Sequence, residues 1–544
     1  MKKIFLFSLL VMVAVTLTGC FGEDEPTYEG IGKDVAGEVT IMLWSGDGQY
    51  YENIGHQDLS ADDLTGQNQA TIYAVAKAFN EEYPNVKINV YAKKDGPDTY
   101  EDGVIVTTWE QHRDNFKSQH GHYPGIWAST DLPGDLSKGL VADLSMFEDD
   151  PLYQSFNESV MDMMNYYGVQ AGLPQYLLPW GVFVNKSLAE QNNLDVPEPD
   201  WDLDDYTDFI SQADMENFYG AMDVEMSFFM TGSNTMAKQL NEYDGTGDHI
   251  NVNSDEVRDL LDYVPEWSKY AVYPQNEIGK IPTEVMEENG YWSYNFFKNN
   301  RLLTLGGDPW MMGDAAHPAD SHWGKVLAAD WDIYPRPATD YLPNTVGVVL
   351  DPLSVYNYCQ EDGNNECTPE EEQKVQVAYT FASFWVGDTA AWQARADQLF
   401  KDGDNYKTAM NDSLPLVTGD EFDEQMDIWY TTETHALYRD PNRMPGFHKV
   451  LELWKEGQFW DVSDKTYPYW HTEEEARVEN LYNWLNMWNP ELAGAARTDA
   501  NWLDNVKAKL PGWNTEINGH FEDSEQEIVD GLKEFYNYTD EDFE

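Results

Sequence analysis

The sequence predicts an α/β protein built as two bodies joined by crossing strands, and three observations carry that expectation. A chain of 544 residues exceeds what one ordinary core holds. Near the start, strand, helix and strand patterns follow one another, the opening of an α/β layer. Further on, Tyr166 to Leu188 (YYGVQAGLPQYLLPWGVFVNKSL) is punctuated by Gly168, Gly172, Leu173-Pro174 and Leu178-Pro179. Proline cannot donate to a central ladder, so this stretch should be extended, edge-like and bent, leaving one folded body and entering another.

In chain order, Glu38 to Leu43 alternates as a first strand, followed by the loop Trp44-Ser-Gly-Asp-Gly. Gln69 to Glu82 is predicted as a helix with Ile72, Val75, Ala76 and Phe79 on its apolar face, and Val86 to Tyr91 as the next strand. Tyr123 to Ala128 reads as a strand, Ser187 to Gln191 and Asp202 to Ala213 as helices. Trp331 to Pro337 and Val346 to Val355 read as a returning strand and a second crossing. Gln373 to Phe384 is a helix, Leu414 to Val417 a third crossing, and His448 to Trp454 a further helix. Residues 460–544, rich in Trp and acid, suggest no function.

Acids outnumber bases 98 to 33, for a formal charge of −65, which repels nucleic acid and anionic membrane surfaces alike. Aromatics at 14% argue against disorder, because a disordered acidic chain is poor in them. Such acidity fits either self-repulsion on an exposed extracellular protein or a high-salt habitat.

The amino terminus reads as a signal. Lys2-Lys3 precede an apolar run from Ile4 to Leu17, too short for a membrane span, and Leu17-Thr-Gly-Cys20 resembles the bacterial lipobox. That resemblance implies a signal peptide over 1–20, a lipidated Cys20 and a flexible tether over 21–37. A plain secretory signal with an incidental cysteine is the alternative. In a secreted chain Cys359 and Cys367, eight residues apart, are expected to form a disulfide across a surface hairpin. No His or further Cys lies beside them to make a metal site. The acidic loop Tyr243 to Asp248 reads as an ordinary turn, because it lacks the full twelve-residue ligand spacing; a calcium loop over Asp244 to Asp248, with hard oxygen ligands, is the alternative.

The crossing segment, with its apolar strand, Asn185-Lys186 and short helix, resembles the first inter-lobe crossing of the extracellular solute-binding proteins of ABC importers, sugar-binding family 1. FNEEYPNVKINV (from Phe79), GLVADL (from Gly139), NVNSDE (from Asn251) and FFKNNRLLTLGGDPWMMG (from Phe296) are similar to further segments of that family, although Gly125 stands where it usually shows Asp. The resemblance implies a two-lobed periplasmic-binding-protein-like type II fold with hinge crossings. One lobe is expected over 38–177 and 348–413, the other over 178–347 and 414–544 with a C-terminal extension. It further implies a ligand site drawn from Trp44, Asp47, Trp127, Asp131, Tyr176, Trp180, Trp310 and Trp454, with Trp310 the foremost sugar platform.

Enzyme signatures are absent: there is no G-x-S-x-G, no G-x-x-x-x-G-K-[ST] and no H-E-x-x-H. Paired carboxylates carry little information among 98 acids. The expected function is capture of a carbohydrate, an oligosaccharide by preference, by a monomeric surface lipoprotein without cofactor. It would be held on the outer face of the cytoplasmic membrane by its lipid alone and would deliver the sugar to ABC permease subunits. Aromatic rings suit the apolar faces of sugars. They also suit polyamines or quaternary amines, the alternative ligand class. A lipid-anchored glycoside hydrolase is the alternative from the enzyme class.

Overall fold

The computed structural model describes residues 32–46, 50–64, 66–94, 98–99, 105–106, 108–222, 250–272, 281–285, 293–306, 330–360, 367–432, 435–461, 465–466 and 501–543. Its principal strands are β1 (Gly37–Gly46), β2 (Tyr50–Tyr51), β3 (Val86–Lys94), β4 (Ile126–Ala128), β5 (Leu173–Trp180), β6 (Val182–Val184), β7 (Thr304–Gly306), β8 (Asp332–Tyr334), β9 (Val346–Val355) and β10 (Phe459–Asp461). The larger sheet runs β10-β9-β4-β1-β3-β2, with β5 added to β9, and a second sheet runs β7-β6-β8. β1 pairs in parallel with β3 and β4, whereas β9 is antiparallel to β4 and β5. The architecture is α/β with mixed sheets, as the alternation of elements implies.

The helices that matter here are α1 (Gln67–Glu82), α2 (Trp109–His120), α3 (Leu132–Ser137), α4 (Lys186–Asn192), α5 (Leu203–Ser211), α6 (Asp255–Leu260), α7 (Pro369–Gly387), α8 (Thr389–Asp397), α9 (Gly419–Thr431), α10 (Pro445–Lys455) and α11 (Trp502–Phe535). Local chemistry explains where several begin. Thr368 and Glu371 form a reciprocal cap ahead of α7, so the helix starts at Pro369, a turn before the expected Gln373. Asp202 and Asp205 do the same for α5. The strand expected from Tyr123 starts only at Ile126: Pro124 has no amide to pair, although Gly125 already donates to Thr40 O at 2.8 Å and accepts from Tyr356 N at 2.9 Å. Cys359 and Cys367 are joined as a disulfide, linking the turn Tyr358–Gln360 to the residue before the α7 cap.

Among the described residues two large apolar cores result. The first packs α1, α7 and α8 on β1, β3, β4 and β9, and takes in Phe422, Met426 and Trp429 of α9. The second gathers Val182 and Val184 of β6 with Leu203, Tyr206, Phe209, Val257, Trp267 and Tyr334. β6 alternates between them, Phe183 facing the first and its neighbours the second. Asp332 docks α10 on β8: its carboxylate accepts from Gly446 N at 2.8 Å and Phe447 N at 3.1 Å, and burial pushes its pKa up to about 6.

His435 lies in the first core, its ring stacked on Trp429 at 3.8 Å and its Nδ1 2.9 Å from Thr432 Oγ1. Burial lowers its pKa to about 3. The folded state therefore holds this ring neutral while the unfolded chain protonates near 6.5, so stability is intact above about 6.5 and falls as the pH drops. Acidification from pH 6.5 to 5 should cost roughly 1–2 kcal/mol through this residue. Asp332, whose folded pKa is raised, acts oppositely between about 4 and 6, so the parent is compared with His435→Asn. Urea unfolding at both pH values should show a smaller acid loss in the variant; an equal loss would exclude His435 as its source.

Candidate functional site

β5 and β9 form the ribbon that leaves the larger sheet, in the register Trp180 to Gly347, Leu178 to Val349 and Tyr176 to Asp351, with an irregularity after Asp351. Among the described residues β5 forms a strand ladder with β9 alone, while Leu177 on its other side bonds Ser413 and Leu414, and such an edge accommodates Pro174 and Pro179. At the exit from β5 a Cβ on Gly181 would run into the Tyr334 carbonyl, so only glycine lets β6 turn in beside β8.

Side chains alternate across this ribbon. Leu177, Val348 and Leu350 are fully buried in the first core. Tyr176, Trp180, Val349 and Asp351 are half-buried on the opposite face. Trp180 shares a small apolar group with Met163, Leu342 and Val349, and the Arg336 guanidinium lies 5.9 Å from its ring centre. Its Nε1 is buried and has no hydrogen-bond acceptor among the described residues.

A polar chain borders the same face. Tyr176 donates its hydroxyl hydrogen to Asp412, and Lys465 donates to Asp351. The Lys465 carbonyl accepts from Leu132 N at 3.0 Å, which brings this segment beside Asp131. Asp131 itself caps α3, accepting from Gly134 N at 3.4 Å. Ser129 N, two residues earlier, donates to Pro352 O at 2.8 Å and ties that loop to β9. Aromatic faces, carboxylates and two cations thus converge at the crossing. Such a surface can stack on an apolar ligand face and exchange hydrogen bonds with its edges.

Of the residues expected at a ligand site, the structure brings Asp131, Tyr176 and Trp180 to this region. Trp44 sits on β1 in register with Lys93. Asp47, Trp310, the loop Tyr243 to Asp248 and Cys20 lie outside the described residues. Two expectations are corrected. Trp127 is a core residue, 2% exposed, with Nε1 donating to Asp135 at 2.9 Å and the Arg113 guanidinium 5.4 Å from its ring centre. Trp454, 1% exposed, stacks on Phe459 at 4.5 Å within the first core. Neither has a face to offer a ligand. Arg336, Asp351, Asp412 and Lys465 were missed; Arg336, inside the expected returning strand, and Asp351, inside the predicted second crossing, lay in segments the sequence did mark.

Among the described residues no cluster of three or more His, Cys, Asp or Glu is placed to hold a metal, and no helix is long and apolar enough to cross a membrane.

These features define a two-lobed α/β fold. Residues 62–268 match the family model described as bacterial extracellular solute-binding protein, in agreement with the resemblance carried by the crossing segment. The fold is similar to that of an ABC substrate-binding protein from Listeria monocytogenes in complex with cycloalternan, at 16% identity and TM-score 0.51, over 88% of this chain and 99% of that one. It is also similar to a cyclic alpha-maltosyl-1,6-maltose binding protein from Arthrobacter globiformis, at 14% identity and TM-score 0.54, over 90% of this chain and 100% of that one. Comparison with curated protein sequences finds no match.

The network that removes Trp127 from the site is itself testable. Asp135 accepts from Trp127 Nε1 and from Ser129 Oγ at 2.7 Å, and pairs with the buried Arg113. Asp135→Ala leaves that guanidinium buried without its carboxylate and should cost about 3–5 kcal/mol of stability. Trp127→Ala should cost a similar amount, about 3–5 kcal/mol, through the cavity it opens. Thermal unfolding at near-parental temperatures for either variant would restore Trp127 as a surface residue.

Proposed function

We propose that this protein captures an oligosaccharide between its two lobes and hands it to the transmembrane subunits of an ABC importer. The observation that carries the reading is the half-buried face of the β5–β9 ribbon, where Tyr176 and Trp180 stand among Asp351, Asp412 and Asp131 at the crossing between lobes. The family match supports a binding role rather than catalysis, since its description is of solute-binding proteins. Trp180, half-buried, offers part of its ring for the apolar face of a pyranose. Trp44, Asp47 and Trp310 join the site on the resemblance alone.

The lobes are proposed as 38–177 with 348–413 and 178–347 with 414–544, hinged at the crossings. Lipidation at Cys20 would tether a monomer to the outer face of the membrane, so that captured ligand stays near the permease. A cationic ligand fits the site less well. Arg336 already lies by the Trp180 ring and Lys465 already neutralises Asp351, so the positions a polyamine or quaternary amine would take are filled by the protein's own cations.

A thermal-shift screen tests the ligand class, because a ligand of the native state raises the melting temperature with concentration. Oligosaccharides should raise it, whereas polyamines and betaines should not; the reverse pattern would overturn the carbohydrate reading. For the sugar that responds, Trp180→Ala should weaken binding about thirtyfold or more. Its melting temperature should stay near the parent's. Unchanged affinity in the folded variant would remove Trp180 from the site.

A further inference from the structure

The C-terminal region, to which the sequence assigns no role, ends in the 34-residue helix α11, about 50 Å long at the usual rise per residue. Its apolar stripe serves two cores in succession. Trp502, Val506, Leu510 and Phe521 are buried in the second core, and Ile528 and Leu532 in the first. Polar contacts divide at the same point. Asn518 accepts from Ile250 N at 3.1 Å and donates to Ile250 O at 2.8 Å, and Lys507 pairs with Asp262 at 2.6 Å, all on the second core. Beyond Phe521 the partners belong to the first. Glu525 accepts from the Tyr167 hydroxyl at 2.6 Å, the Phe535 carbonyl accepts from Gln360 at 3.1 Å, and just past the helix Tyr536 donates to Val141 O at 2.6 Å. Gly531 lies so close to the Ser137 backbone that any Cβ there would collide with it.

We infer that α11 is a strap that binds both lobes and sets the angle at which they rest. A continuous helix fastened by buried side chains on two bodies resists their relative rotation. Opening or closing at the β5–β9 crossing must bend it in the turn between Phe521 and Glu525, where the partner changes, or detach one of its halves. A hinge formed by the crossing strands alone would be free to swing; the strap narrows the range of lobe separations in the ligand-free protein. The inference rests on the reading of two lobes that move, but not on the identity of the ligand.

The test is a lobe-to-lobe distance in the full chain without ligand, from spin labels at the exposed Glu81 on α1 and Gln191 on α4. The parent should give one narrow distance distribution. Gly531→Leu lifts the helix from the first lobe, and Asn518→Ala together with Lys507→Ala loosens it from the second. Both variants should broaden the distribution, or shift its mean by several ångströms, while circular dichroism stays parental. Releasing opposite ends gives the same result only if the helix acts as a tie between them. A parental distribution in either folded variant overturns the strap, and if Gly531→Leu fails to fold, the Asn518/Lys507 pair decides alone. Because no sugar is present, a failed ligand screen leaves this outcome readable, and a parental distance leaves the carbohydrate reading standing.

Discussion

Two extended segments, far apart in sequence, must pair where neither lobe covers both of their faces. That constraint shapes the rest of the molecule. One face of β5 and β9 is sealed by Leu177, Val348 and Leu350, which fixes the ribbon to the first core. The other face stays half-open because Tyr176, Trp180 and Asp351 are amphipathic or charged, and full burial of such groups is costly without partners. The partners that do reach them come from distant segments: Asp412 for Tyr176 and Lys465 for Asp351. A register slip of one residue would put the aromatics into the core and the leucines into the cleft. Register and site are therefore the same property of this ribbon.

Much of the fold was legible because it rests on local periodicity. The first strand, α1, β3 and β9 lie where alternation and 3.6-residue spacing put them, and β9 occupies the expected span from Val346 to Val355. The site was legible only in part. Trp127 and Trp180 look alike in sequence, each flanked by apolar residues; what separates them is Asp135, which reaches Trp127 from the next helix and locks it inward with Arg113. Trp454 was misplaced for a similar reason, since a tryptophan on an amphipathic helix fits a core or a cleft equally well until Phe459 is seen against its ring. Asp412 and Lys465 come from segments with no local pattern, and Arg336 lies in the expected returning strand with nothing there to mark it as part of a site, so only the tertiary fold gathers them.

The C-terminal helix shows the complementary failure. Pro511 interrupts its interior, and Gly512, Gly519 and Gly531 lower its intrinsic propensity, so the segment does not announce a single helix. Its buried positions nonetheless recur at helical spacing from Trp502 through Leu532. Tertiary packing along that stripe offsets the weak propensity, and Gly531 has a packing reason of its own: its missing Cβ lets the helix axis approach Ser137, whereas a Cβ at Gly512 or Gly519 would meet open space. One residue that obscures the helix in sequence, Gly531, thus allows it to lie close against the first lobe.

Electrostatics narrows what the crossing can hold. Where both partners of an ion pair are exposed, as in Lys33 with Glu82 and Arg439 with Asp427, the pair contributes little. The excess of acids, −65 in formal charge, therefore acts mainly as a surrounding negative field that repels anions. Within the ribbon the balance is different. Lys465 is half-buried on Asp351 and Arg336 is fully buried near Trp180, so one carboxylate is already paired and one aromatic ring already has a cation beside it. An anionic ligand would face the field of the whole protein, and a cationic one would have to displace side chains already in place. A neutral polyhydroxyl ligand meets neither obstacle, since its hydroxyls both donate and accept and its ring faces match the half-buried aromatic surface.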